Sequence, residues 1–240
     1  GASVNHSYNP APGNGTQPYS ISCTATNVSG CVISASQTVS VKQKPQAILN
    51  DPINNFRFCG GGTANLAVYD ASTPTVNSSY VINWGDGSPN TTSSTAPQGA
   101  SHIYQSGVYN LTYTVTGSNG CSDVIQKIVY NITNPQIGAA NPGNTQGCGP
   151  KTICFPINTF AANDSSTTYT VDFGDGSATQ IYNHPPPDTI CHTYSTTSCG
   201  KPNNAYTFQI VAGNGCDTSI ATIYPVRVYT PPVAQFTANP

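Results

Sequence analysis

Residues 83–88 read NWGDGS and residues 172–177 read DFGDGS, one aromatic-Gly-Asp-Gly-Ser turn written twice, 89 residues apart. Each copy follows an alternating stretch, YVINW (80–84) and YTVDF (169–173), and precedes a His-x-Tyr, HIY (102–104) and HTY (192–194). Further on, YNLTYTVTGSNGC (109–121) matches YTFQIVAGNGC (206–216). Landmarks that recur in one order mark a repeat, which has to be found before the fold is read. HSY (6–8) followed by YSISCTATNVSGC (19–31) supplies the second half of a further copy, and PQAILNDP (45–52), PQIGAANP (135–142) and PVAQFTANP (232–240) begin copies. The expected division is the C-terminal part of a repeat at 1–44, complete repeats at 45–134 and 135–230, and the first strand of a following one at 231–240.

Within a repeat the hydrophobic period is two, the signature of half-buried strands. Tyr109, Leu111, Tyr113 and Val115 alternate with polar residues, as do Tyr206, Phe208 and Ile210. Ile82 with Trp84, and Val171 with Phe173, form a second inward face; Leu66 with Val68, and Phe155 with Ile157, form a third. Several short strands between Gly, Pro and Asn turns, in about 90 residues, predict an all-β, two-sheet sandwich.

Composition narrows the function. Only 7% of residues are charged, against about 25% in an average soluble chain. The acids are all aspartate, and the seven basic residues form no stripe that could track a phosphate backbone. Nucleic acid is excluded as an expected partner. No run reaches the roughly 18 apolar residues of a membrane span, and GASVNHSYNP at the start reads as a mature or internal sequence rather than a signal peptide. Nine cysteines without a CxxC pair, in so polar a chain, indicate disulfides and an oxidising, extracytoplasmic compartment rather than a zinc site.

Strand-W/F-GDGS, then His-x-Tyr, then G-x-Y with T-V-T, closing on NGC, resembles the polycystic kidney disease (PKD) domain, an immunoglobulin-like sandwich. The resemblance covers nearly the whole chain. The repeat at 135–230 departs from it by lacking the G-x-Y glycine and by carrying seven extra residues, Ser195–Ala205 against Gln105–Val108. Arrays of such domains resemble segments of large surface proteins of gliding, surface-colonising Bacteroidota. The resemblance implies tandem sandwiches in a secreted, extracellular cell-surface adhesin, serving as an extended stalk in cell adhesion and gliding motility. Short linkers such as VKQKP (41–45) and NITNP (131–135), with prolines at Pro45, Pro135, Pro231 and Pro232, would restrict its hinges. Its implied partners are neighbouring repeats of the same chain, with surface polysaccharide or other cell-surface or secretion-system proteins beyond them. The alternative is a set of accessory PKD-like modules of a secreted polysaccharide- or protein-degrading enzyme. That role calls for exposed aromatics in a row, and the best candidates, Tyr182 and Tyr229, are isolated.

Asp86 and Asp175 could be read as calcium ligands or catalytic acids. A calcium site needs six to eight oxygens and no DxDxDG loop supplies them; a glycosidase pair needs two placed carboxylates, and each repeat offers one. The structural reading fits better: Gly85 and Gly87, or Gly174 and Gly176, permit positive φ, and the aspartate accepts hydrogen bonds from nearby amides. His6, His102 and His192 share one repeat position and are expected in a buried or edge hydrogen-bonding role; His184 sits in a proline-rich loop. No catalytic motif, cofactor or metal site is expected, and the chain reads as a non-enzyme. Sequons at Asn77, Asn90, Asn110, Asn131 and Asn163 are no more than this Ser/Thr content supplies by chance.

Repeat equivalence also predicts disulfides. Cys59 matches Cys148 and Cys121 matches Cys216, so the expected pairs are Cys59–Cys121 and Cys148–Cys216. Cys191 and Cys199 flank the extended loop and are the favoured local pair, with Cys154 able to replace either. Cys31 matches Cys121 and has Cys23 across its hairpin.

Overall fold

The computed structural model describes residues 3–232 and Phe236. The expected strand at 231–240 therefore falls almost wholly outside the described residues. Strands in chain order are β1 (Thr16–Thr26), β2 (Val32–Lys42), β3 (Leu49–Asn50), β4 (Arg57–Phe58), β5 (Ala64–Asp70), β6 (Ser79–Asn83), β7 (Thr91–Ser93), β8 (Gln98–Tyr104), β9 (Gly107–Thr116), β10 (Ser122–Asn131), β11 (Gly138–Ala139), β12 (Gln146–Cys148), β13 (Lys151–Asn158), β14 (Thr168–Asp172), β15 (Gln180–Asn183), β16 (Thr189–Tyr194), β17 (Tyr206–Gly213) and β18 (Thr218–Tyr229). One 3-10 turn, Pro202–Asn204, is the sole helical element among the described residues.

Backbone contacts divide the chain into two units, residues 1–56 with 63–129, and residues 57–62 with 130–240. Two complete sandwiches have one topology. A three-stranded sheet, β3-β5-β8, faces a five-stranded one, β4-β10-β9-β6-β7; the second copy is β11-β13-β16 facing β12-β18-β17-β14-β15. Neighbours in these sheets are antiparallel except the short β4 and β12, which pair parallel to the ends of β10 and β18. These are immunoglobulin-like β-sandwiches.

Alternation fixes which side of each strand enters the core. In β9, Leu111, Tyr113 and Val115 are fully buried while the residues between them are half-exposed. Ile82 stands opposite Tyr113, and Val171 opposite Ile210, so the inward faces of neighbouring strands coincide. Leu66 and Val68 on β5, and Phe155 and Ile157 on β13, close each core from the other sheet. Phe155 stacks on Phe208 across the sandwich at 3.9 Å between ring centroids. Trp84 and Phe173 are buried at equivalent places, as their alternation predicts.

Residues 16–42 form a plain antiparallel hairpin from Thr16↔Lys42 to Thr26↔Val32. It corresponds to β9–β10 of the complete repeat. No second sheet covers it within residues 3–44, and Ile21, Val32 and Ile33 are exposed.

The seven-residue insertion is anchored. Ser198 is completely buried; its hydroxyl donates to Asn204 O (2.8 Å) and accepts from Val228 N–H (3.1 Å). Tyr206 donates its hydroxyl to Thr197 O (2.6 Å).

Candidate functional site

The two GDG turns are superposable in chemistry. Gly85 N–H donates to Asn83 Oδ1 (2.9 Å) and Gly174 N–H to Asp172 Oδ1 (2.8 Å). Gly85 and Gly174 have φ of +81° and +76°, and a Cβ there would lie 2.3 Å from Asn110 O or 2.5 Å from Thr207 O. Glycine is required twice over, by the left-handed backbone and by the neighbouring strand. Gly87 and Gly176 also have positive φ but face open space.

The aspartate between them is fully engaged. Ser88 donates both its amide (3.0 Å) and its hydroxyl (2.6 Å) to Asp86 Oδ1, and Ser177 does the same to Asp175 Oδ1 at 3.0 and 2.6 Å. The other carboxylate oxygen meets a histidine: Asp86 Oδ2 to His102 Nε2 at 2.7 Å, Asp175 Oδ2 to His192 Nε2 at 2.8 Å. Burial works against ionisation of Asp86, but the Ser88 hydroxyl, His102 and the Ser88 amide together hold its pKa down at about 2. The same set, burial opposing and Ser177 and His192 prevailing, lowers Asp175.

Each histidine also stacks flat on the turn's aromatic residue, His102 on Trp84 at 4.7 Å and His192 on Phe173 at 3.9 Å. The tyrosine two residues on, Tyr104 or Tyr194, is completely buried and donates to the carbonyl of that aromatic residue, 2.8 Å to Trp84 O and 3.2 Å to Phe173 O. The WGDGS and HxY motifs, far apart in sequence, are thus one bolt across the two sheets. His6 keeps only the local part, an edge contact with Tyr8 at 4.6 Å like that of His102 with Tyr104 at 4.7 Å.

This arrangement has acid, base and hydroxyl but the wrong order for nucleophilic catalysis. A serine nucleophile must give its proton to histidine, with the carboxylate behind the ring. Here Ser88 and Ser177 donate to the carboxylate, which separates them from the imidazole. No group of three or more His, Cys or Asp side chains placed to hold a metal occurs among the described residues. His184 Nδ1 lies 2.9 Å from Tyr169 Oη, a structural contact beneath the proline-rich loop. Tyr182 and Tyr229 share no row: each hydroxyl donates to a glutamine, Gln180 and Gln146. Three sequon asparagines, Asn77, Asn131 and Asn163, are buried, whereas Asn90 and Asn110 are exposed.

The disulfides differ from expectation. Cys59 is bonded to Cys216 and Cys154 to Cys191; Cys23, Cys31, Cys121, Cys148 and Cys199 are free. Strand length explains why Cys59–Cys121 and Cys148–Cys216 do not form. Phe58 pairs with Asn131 at the far end of β10, whereas Cys121 precedes its start. Ten residues of strand separate the two by about 30 Å, far beyond the roughly 7 Å limit for a disulfide. Cys148 pairs with Tyr229, likewise a whole strand away from Cys216. Cys191 faces Cys154 directly in the β13–β16 ladder, which is why Cys199 loses to it. Cys23 faces Ala35, not Cys31.

Sequence reading also missed the second task of the NGC turn. Asn214 Oδ1 accepts from Cys216 N–H (2.9 Å) while its Nδ2 donates to Thr133 O (3.0 Å), two residues before Pro135. Asn119 Oδ1 accepts from Cys121 N–H (3.0 Å) while its Nδ2 donates to Gln43 O (2.7 Å), two residues before Pro45. One asparagine in each unit both presents the cysteine and grips the linker. At Gly215 the ring of Tyr130 occupies the place of a side chain, 2.0 Å from an added Cβ.

No protein-family model and no curated protein matches the chain. Solved structures do match. The fibronectin(III)-like modules of Clostridium thermocellum CbhA are 16% identical, covering 76% of this chain and 95% of theirs, with a TM-score of 0.34. Murine CEACAM1b is 14% identical over 78% of this chain and all of its own, TM-score 0.37. The chicken CNTN1 FN1–FN3 domains are 14% identical over 88% and 76%, TM-score 0.34. The fold rests on the strand order and register above, not on these likenesses.

Proposed function

We propose that the chain is a non-catalytic segment of a long, repeat-built cell-surface adhesin, made of PKD-like sandwiches that carry load and present binding surfaces at a distance from the cell. The observation that carries this reading is the duplicated bolt. The aspartate, serine, histidine and tyrosine of the turn are built twice, in the same geometry, and bond one another or the turn backbone in holding turn to sheet. Around the bolt the copies differ, in the core residue stacked on the histidine (Trp84 against Phe173), in the extended loop and in the bond Cys154–Cys191. The low charge and the disulfides suit an oxidising exterior, where a bonded domain cannot be drawn out to its full length. Surface polysaccharide or another cell-surface protein is the class of partner this role calls for.

The test is location and attachment. Antibodies raised against the chain should label intact, unpermeabilised cells that make it, protease treatment should strip the label, and cells lacking the segment should adhere less. If the chain is found only in the medium, on a polypeptide that hydrolyses glycan or peptide, it is an accessory module instead.

A further inference from the structure

Cys121 and Cys148 are free in the structure, yet each sits in a place whose repeat equivalent is bonded. We propose that they are the two open halves of a staggered disulfide ladder, in which the parallel-strand cysteine of one repeat bonds the NGC-hairpin cysteine of the repeat after it. Cys148 would take the hairpin cysteine of a following repeat, and Cys121 the parallel-strand cysteine of a preceding one.

Three observations converge. The bond Cys59–Cys216 is itself of this type: Cys59 lies in the repeat at 45–134 and Cys216 in the repeat at 135–230, although both belong to the second compact unit. Cys148 reproduces the setting of Cys59. It ends a short parallel strand opposite Tyr229, three residues before Pro232, just as β4 runs Arg57↔Tyr130 and Phe58↔Asn131 directly into Cys59, with Ile132 N–H, three residues before Pro135, donating to Phe58 O. Cys121 reproduces the setting of Cys216, held by the same asparagine that grips the linker two residues before the proline. The clasp is thus seen complete once, and each of its halves once more.

Each bond forms from two thiols with loss of two protons and two electrons to a disulfide oxidant; by exchange, oxidised glutathione serves and leaves as two reduced molecules. The ladder stands on repeat register and not on the adhesion reading, so the two fail separately.

The chain as it stands, refolded in oxidised and reduced glutathione and alkylated without denaturant, should yield Cys59–Cys216 in a non-reducing peptide map, with Cys121 and Cys148 alkylated. A chain of residues 1–231 followed by a second copy of 135–230 should then lose alkylation at Cys148 at least tenfold and give a peptide joining Cys148 to the added copy's equivalent of Cys216. The Cys154–Cys191 bond in both copies reports that each is folded. Cys148→Ser in that longer chain should leave the added hairpin cysteine free, with Cys59–Cys216 unchanged. The proposal is overturned if Cys148 stays alkylated while both copies are folded, if Cys148 joins Cys121 within or between molecules, or if Cys59–Cys216 is absent from the original chain. Mapping of the protein from its own cells needs no added copy: Cys121 joined to a parallel-strand cysteine of a preceding repeat and Cys148 to a hairpin cysteine of a following one supports the ladder, and free thiols there, or Cys121 joined to Cys148, sink it.

Discussion

Pulling the chain by its two ends separates a bonded from an unbonded molecule by length alone. Cys59 and Cys216 are 157 residues apart in sequence but 5.5 Å apart at Cα. With the bond intact, force passes from residue 59 directly to residue 216, and everything between is shielded. Only the sequence before Cys59 and after Cys216 can lengthen. At about 3.5 Å per extended residue, the shielded 157 residues hold about 55 nm of hidden contour. Cys216→Ala removes this latch and leaves Cys154–Cys191, which still closes 37 of those residues, so that 120 are released, about 42 nm at the same rise. Single-molecule force spectroscopy should therefore give a gain of about 42 nm for the variant over the parent under oxidising conditions, rising to about 55 nm once both bonds are reduced. A parent molecule that releases the full length without reductant, or a variant indistinguishable from it, refutes the latch. In the chain-entropy model the long bond is worth roughly 5 kcal/mol and the short one roughly 4, so reduction should also lower the thermal midpoint sharply.

The GDG turn supplies further tests. Gly85→Ala meets both a left-handed backbone and Asn110 O, and should cost about 3 kcal/mol or more in denaturant unfolding, whereas Gly87→Ala, left-handed but open, should cost only about 1. The folded pKa of Asp86 lies at about 2, below the unfolded value, and that of Asp175 is also lowered. The unfolded chain then binds more protons, so this stability is complete above about pH 4 and is lost as pH falls toward 2. Thermal melts across that window should show about 1–2 kcal/mol of loss at Asp86, solvent screening allowed for, and Asp86→Asn should abolish its share. Tyr104→Phe leaves Trp84 O short of a buried donor and should destabilise by about 1–2 kcal/mol in denaturant unfolding.

The fold was legible because a two-residue period survives any context: Leu111, Tyr113 and Val115 point inward whatever the sheet order. Turn glycines were legible for the same reason, since φ is a local property. The Asp86–His102 contact was half legible. GDGS and HxY recur as a pair at nearly constant spacing, but only the crossing of β8 behind the turn shows that carboxylate, imidazole and indole meet. The extended loop gave no sequence signal of order; it is held through Ser198, one buried hydroxyl among many serines that are not buried.

The disulfides show where repeat logic needs geometry. Equivalence of Cys59 with Cys148 and of Cys121 with Cys216 is retained in the settings of all four side chains, but it says nothing about which member of one class joins which of the other. That choice is made by distance. Parallel pairing sends Cys59 to the exit end of β10, while the NGC hairpin of its own repeat opens the entry end of the same strand. A sandwich whose two cysteines lie a strand length apart cannot bond them to each other. The exit end of one repeat is, however, where the linker to the next begins, and Asn214 holds the following hairpin to that linker at Thr133 O. The offset by one repeat therefore follows from the direction of a two-residue strand, and it converts two bonds that would each have stapled one domain into a bond carried from repeat to repeat.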